Sequence, residues 1–417
     1  MKIKKLIVHC AMITVLGAAI MAPQISKAGP KKVKPLKASM VFDAEKRKKT
    51  KKLIGQRLSY TLYASLRLQD ERNRRRDDNI DDQNEEIALY LGFVGRADLG
   101  RSMIAFGHGE LDARSKFTHI RSYEMTSRWR TKEAFISFKV SPNSRVTFGR
   151  LRFSDLNKWS TDVAVDGIHY GHKATDHVIE FAAFKAKDDD ASSYLMAHSS
   201  RVSDKVRYGV LAIIENHDEG MRLNLAGSAN AVVSPRFSYE LNVGVVAGDA
   251  ANAESIGFGA DFRTYHEFGK SQLNPQIIFG FAAATEGFRQ SGIQSNKTYN
   301  KGQTQVHRYG YALQSDLTNL AIGSVAIGIR PSRKFSLDLG LHVYRQFKKS
   351  TIGPNARFLG VTTGNSAFLG TEISLVGAWC PNQKNKTEFD VGHFNPGTAF
   401  VDQTSATRVY MRMTVSF

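Results

Sequence analysis

The chain has 417 residues, 42% hydrophobic and 23% charged, with 10 Pro, 2 Cys and a net charge of +19. This composition excludes a disordered chain and a disulfide scaffold. Beyond the N-terminus no run approaches the roughly 20 consecutive apolar residues of a spanning helix, so a polytopic helical membrane protein is excluded too. A transmembrane barrel is not, because alternating strands average to an ordinary hydropathy.

Lys2, Lys4 and Lys5 precede an apolar stretch at 6–22, and Ser26-Lys27-Ala28 sets small residues at the −3 and −1 positions of a cleavage site. Residues 1–28 therefore read as a secretory signal removed after Ala28. Cys10 leaves with it, and the mature chain keeps Cys380 alone. Residues 29–57 read as a basic, flexible periplasmic segment, with ten Lys or Arg at 29–52 against Asp43 and Glu45. The 44 basic and 37 acidic residues that remain beyond it leave the body at only +7. The lysine run is a solvated tail and not a nucleic-acid surface, since an exported protein meets little nucleic acid. Contact with anionic lipid or cell-wall polymer is the alternative.

From Leu58 the chain alternates. Apolar residues fill the even positions from Leu58 to Leu68, and the same period of two recurs in FSYELNVGV at 237–245 and FSLDLGLHVY at 335–344. Nine to eleven such residues match a tilted strand crossing a bilayer, and the Ser, Gly, Asn, Asp and Arg on the opposite face suit a wet lumen. At the end, Val409, Met411, Met413, Val415 and Phe417 alternate with polar partners. A terminal Phe on such a strand resembles the assembly signal of bacterial outer-membrane barrels, which names the barrel-assembly machinery as a partner alongside outer-membrane lipid and lipopolysaccharide. Short periplasmic turns are expected at 97–100, 141–143, 173–176, 203–204, 234–235, 331–333 and 382–386. Counting strands from both ends agrees only if 306–315 is not a strand. The expected fold is then an all-β, antiparallel transmembrane barrel of 18 strands over 58–417, with a long outer loop at 285–317 that can fold into the mouth and narrow it.

Three stretches resemble the alginate export family of outer-membrane porins. They are 133–172 (EAFISFKVSPNSRVTFGRLRFSDLNKWSTDVAVDGIHYGH), 307–320 (HRYGYALQSDLTNL) and 370–417, which holds GTEISLV, HFNPG and the closing strand. The resemblance implies an 18-stranded pore, lined with basic side chains, that passes an anionic uronic-acid polymer. Carried over position by position, Arg150 and Arg152 match the family's GRxR arginines, Arg308 the basic position before an aromatic-Gly pair, and Asp166 and Glu372 acidic positions. His169 stands where many relatives carry Arg, which weakens a permanent positive field there at neutral pH. Strict alternation from Val146 and Phe148 would turn Arg150 and Arg152 outward. Either Gly149 is a bulge that resets the face, or both arginines lie beyond the lipid band.

Alternation alone points Arg67, Arg96, Arg207, Arg263, Arg330, Arg408 and Arg412 into the lumen, together with Glu133, Glu240, Asp261, Asp338, Glu372 and Asp390. Arginine suits carboxylate passage through its planar, permanently charged fork. Either these form an anion-selective ladder, or the acids pair with them to brace the wall. Asp261 and Arg263, two apart on one face, read as a local pair. No enzyme is indicated: GxSxG is absent, Gly269-Lys270-Ser271 lacks a phosphate loop's upstream glycine, and His169 and His172 fall on opposite faces. No metal or cofactor is expected. Asp188, Asp189 and Asp190 read as a solvated loop tip, with divalent-ion or lipopolysaccharide contact as the alternative. The leading reading is a passive outer-membrane channel for anionic saccharides such as alginate-like polyuronates. A general small-anion porin and a non-conducting structural or adhesive barrel are the alternatives.

Overall fold

A computed structural model describes residues 51–53, 58–73, 83–118, 123–186, 193–203, 205–217, 220–250, 253–269, 271–358 and 360–417. The expected signal, most of 29–57 and the aspartates at 188–190 lie outside the described residues. Strands come in the order β1 (Lys51–Leu53), β2 (Leu58–Arg72), β3 (Asn84–Asp98), β4 (Met103–Thr118), β5 (Tyr123–Ser141), β6 (Ser144–Ser154) and β7 (Asp162–Lys173). Next are β8 (His177–Ala186), β9 (Ser193–Val202), β10 (Val206–His217), β11 (Gly220–Ser234), β12 (Phe237–Ala250), β13 (Ala253–Glu267) and β14 (Gln276–Ala284). The series ends with β15 (Lys297–Thr298), β16 (Val306–His307), β17 (Leu320–Ser332), β18 (Phe335–Gln346), β19 (Phe368–Trp379), β20 (Asn385–Pro396) and β21 (Ala406–Ser416).

From β2 to β14, across to β17 and on to β21, each strand pairs antiparallel with the next, and β21 returns to β2 in register from Tyr63↔Ser416 to Arg72↔Thr407. The result is a closed barrel of 18 strands, as expected, with β1 added against the start of β2. Closure leaves no unpaired edge, which is the condition for a sheet to sit in hydrocarbon. β15 and β16 pair with each other and not with the ring. Residues 306–315 thus contribute no barrel strand, and the strand count closes without them.

The alternation produces two unlike faces. Leu62, Leu66, Leu89, Leu91, Phe279, Phe281, Leu339 and Leu341 are exposed on the outside, whereas Ser65, Glu86, Asp261 and Asp338 are buried within. A soluble sheet would bury the first set; a lipid-embedded barrel leaves it for acyl chains. Turns such as 142–143, 235–236 and 333–334 mark one rim, and 285–319 and 347–367 rise from the other.

The bore is less wet than the alternation suggested. On the inner face of β6–β10, Leu151, Phe153, Phe184, Tyr194, Leu211 and Ile213 are buried together. Phe153, Phe184 and Tyr194 stack with centroids 5.2 and 5.1 Å apart, and Ile293 of the 285–319 segment packs on the cluster. A second core joins Trp159, Phe288, Tyr309, Leu313, Tyr344 and Phe358. Much of the bore is therefore packed protein, because the long loop turns inward.

Candidate functional site

The inner loop, residues 285–319, is anchored where its backbone meets wall carboxylates. Glu372 on β19 accepts the backbone N–H groups of Tyr311, Ala312 and Leu313, the last two at 2.9 Å, and the Tyr344 hydroxyl at 3.1 Å. The loop presents three successive donors there because Gly310 adopts φ +85°, a conformation that costs glycine little. A Cβ at this position would collide with the Tyr344 hydroxyl and the Glu372 carboxylate. Such a concavity of N–H groups is a ready anion holder, occupied here by the protein's own carboxylate.

Arg308, wholly buried, donates to Glu240 (2.7 Å), Asp261 (3.1 Å) and the Asn157 carbonyl (3.1 Å). Burial alone would lower its pKa, but Glu240 and Asp261 outweigh burial and hold it above the ordinary guanidinium value. A second segment, 155–161, folds inward from between β6 and β7. Asp155 gathers it by accepting N–H groups from Asn157, Trp159, Ser160 and Thr161. The Trp159 indole then donates to the Tyr309 hydroxyl at 2.9 Å. Neighbouring His307 is pushed well below 6.5, first by burial and then by the charge of Lys297.

Among the described residues a polar cavity of about 530 Å3 lies open between this loop and the wall of β2–β4 and β19–β21. Arg67, Arg114, Arg408 and Arg412 face it from the wall, Lys297 from the loop and Arg357 from the segment above. The acids beside them are partly spent. Glu86 takes Arg67 and Arg114, and Glu71 takes Arg357 and Arg408 (3.5 Å). Asp390 takes Arg408 at 2.8 Å. Arg412 donates Nε to the Ser65 hydroxyl at 2.7 Å, and its guanidinium lies 5.4 Å from the Tyr90 ring, which Arg67 approaches at 5.2 Å. Neither Arg412 nor Lys297 has a carboxylate partner among the described residues. Lys297 is exposed to the cavity, and the desolvation imposed by the protein packed around it lowers its ammonium below the usual value.

The other expected residues are scattered. Arg96 pairs with Asp98 at 2.6 Å, and Arg330 with Asp338 at 2.7 Å. Arg207 donates to the Leu156 carbonyl at 3.2 Å. Glu133 is buried 3.8 Å from His108. His169 is buried and shares Glu180 with His198, at 3.1 and 2.9 Å. Asp261 and Arg263 do not form a local pair. Asp261 holds Arg308, while Arg263 donates to Asn300 (3.2 Å) and the Arg308 carbonyl (3.0 Å). The spacing that pairs Arg96 with Asp98 does not pair these two, because the inserted loop gives each of them another partner.

Arg150, Arg152 and Asp166 are also corrected. The register of β5 with β6 runs without interruption from Ala134↔Arg150 to Phe138↔Val146, so Gly149 is not a bulge. Thr147, Leu151 and Phe153 are buried inside while Phe148 is exposed, which puts Arg150 and Arg152 on the outer face. Arg150 pairs there with Asp166 at 3.0 Å, so these two do not line the bore. Arg152 reaches Asp162 at 2.8 Å, a buried carboxylate that also accepts from Lys158 and from Ser295 of the inner loop.

Sequence reasoning missed Arg128, Arg130 and Lys132 on β5. Arg128 and Arg130 reach the buried Asp112 at 3.5 and 2.6 Å, and Lys132 reaches Glu110 at 3.2 Å. A register shift opposite His108 and Gly109 changes the parity of β5 between Thr131 and Glu133, so alternation counted from Glu133 gives the wrong face. Lys297 and Arg357 lie on inner segments, where no strand period applies.

The family model described as alginate export matches residues 135–414. Over 100 residues the chain is 36% identical to the alginate production protein AlgE of Azotobacter vinelandii, a match spanning 22% of this chain and 21% of that protein. The chain thus covers about a fifth of this curated relative. Among solved structures it resembles OccK5 (OpdH) of Pseudomonas aeruginosa, with TM-score 0.60 and 8% identity over 87% of this chain and 99% of that one. OccAB4 of Acinetobacter baumannii gives TM-score 0.60 and 9% identity over 87% and 99%. The outer membrane protein OprD of Pseudomonas aeruginosa gives TM-score 0.56 and 6% identity over 86% and 93%. At these identities the structural likeness is one of fold.

Proposed function

The chain belongs to the alginate export family, integral to the outer membrane, and on that premise we propose that it is a passive channel for anionic saccharides of the polyuronate kind. One observation carries the reading. The open part of the bore is polar and faced by Arg67, Arg114, Arg408, Arg412, Lys297 and Arg357, two of these six cations having no carboxylate partner among the described residues. A uronate meeting Arg412 finds a fork that binds carboxylate bidentately. The surrounding ion pairs keep the other contacts weak, and conduction needs contacts that release. We assign the protein passage and no catalytic step. Both proposed roles, anion attraction and bracing of the wall, are then present in one bore: Arg330, Arg408 and Arg308 brace, and Arg412 and Lys297 attract.

The packed clusters around Trp159 and Phe153 favour a second reading, a barrel that its own loop plugs. Single-channel recording of the purified barrel in a planar bilayer separates the two. The channel reading expects small, anion-preferring currents that oligouronate blocks and neutral glycan does not. Absence of conductance favours the plugged barrel, and cation preference overturns the anionic reading. Block by any small anion alike favours a general porin.

A further inference from the structure

The outer wall of β10–β14 carries a depression unrelated to the passage, about 550 Å3 in volume and almost wholly apolar. It follows one row across the strands. Val210 is in register with Gly227, Gly227 with Val243, Val243 with Ala260, and Ala260 with Ala283. This row points outward, since Val243 is exposed while Asn242 beside it is buried. The wall is hollow there because Gly227, Ala260 and Ala283 are small beside Leu225 and Phe258. The same row continues from Ala283 to Ala321 and ends at Arg345. Arg345 is exposed, and two residues on come Phe347, which lines the depression, and the exposed Lys348 and Lys349. Lys348 is paired with Glu286 at 2.8 Å. Arg345 and Lys349 have no acidic partner among the described residues.

β18 ends at the long-loop rim, so the cations stand at head-group level of the outer leaflet and the groove lies beneath, among acyl chains. A soluble anion would have no use for the groove, and an uncharged lipid none for the cations. We infer that this surface binds a phosphorylated glycolipid of the outer leaflet, with one acyl chain along Gly227, Ala260 and Ala283 and a phosphate on Arg345 and Lys349. Arginine beside lysine at a membrane surface is a suitable phosphate receptor, and a hollow in the wall gives an acyl chain packing contacts that a smooth wall does not.

The test is native mass spectrometry of the intact barrel in detergent, titrated with bisphosphorylated lipid A, its fully dephosphorylated counterpart and phosphatidylglycerol. Lipid A is expected to bind at least about tenfold more tightly than either of the others. Arg345→Glu with Lys349→Glu, and separately Ala260→Trp, are each expected to remove that preference, while the heat-modifiable band shift on gels reports that both variants fold. Equal binding of the dephosphorylated lipid or of phosphatidylglycerol overturns the inference, as does unchanged binding in either variant. Channel currents of the variants should match the parent, so the outcome is independent of the channel reading.

Discussion

Gly310 and Glu372 show how little separates a plugged bore from an open one. Three backbone donors converge on one carboxylate only while residue 310 holds a left-handed φ of +85°. Gly310→Ala forces a side chain into that conformation and against Tyr344, a strain of about 1–3 kcal/mol. The variant should show larger and noisier single-channel currents and faster proteolysis within 297–307, with the barrel itself still heat-modifiable. Arg412 belongs at the same scale. Its fork meets only the Ser65 hydroxyl and the Tyr90 face among the described residues, so Arg412→Ser should reduce anion preference, read as a shift of the reversal potential in a salt gradient. An unchanged potential would mean that Arg412 does not face the passage. Arg150→Ser, on the outer face, serves as the control.

Among elements, the inner hairpin of β15 and β16 carries its own pH dependence. Half-buried His307, on the wall of the polar cavity, has a pKa well below 6.5 when the loop is seated, and an undocked His307 would titrate near 6.5. Below that value the undocked form binds the extra proton, so seating weakens as pH falls through 6.5. Asp155 and Asp316, whose carboxyls burial raises above 3.8, oppose this only close to the carboxylate range. Conductance should therefore rise on acidification from pH 7 toward 5, and His307→Asn should flatten the profile. An equal rise in the variant would place the sensor elsewhere. The 155–161 segment is held by backbone bonds to Asp155 instead, and its link to the loop through Trp159 and Tyr309 makes the two inner segments one unit.

At the scale of the whole molecule, closure and field act together. Eighteen strands enclose a wide bore, yet among the described residues the polar cavity found in it is a sector of about 530 Å3 against β2–β4 and β19–β21. Conductance should accordingly fall well below that of an empty barrel of this size. Because Arg412 and Lys297 stand open to that sector, their pull on anions is screened. Anion preference should decline between 0.1 and 1 M salt, as the Debye length shrinks from about 10 to about 3 Å. A preference independent of salt would point instead to steric selection by the packed loop.

The sequence by itself determined the ring. A period of two is local, each strand carries it separately, and the parity of short and long connections fixes the number, so strands such as β2, β12 and β18 and the total of 18 were legible without coordinates. Arg67, Arg408 and Arg412 were legible for the same reason. Tertiary structure alone decided what fills the ring. A long loop able to fold into the mouth was legible, but no periodicity tells what it meets there, so the docking of 285–319 on Glu372, the presence of Lys297 in the passage, and the hold of the wall on Arg308 and of the loop on Arg263 were invisible. The register shift beside His108 and the continuous pairing at Gly149 were hidden too, since whether a strand keeps or loses its parity depends on the neighbour it pairs with.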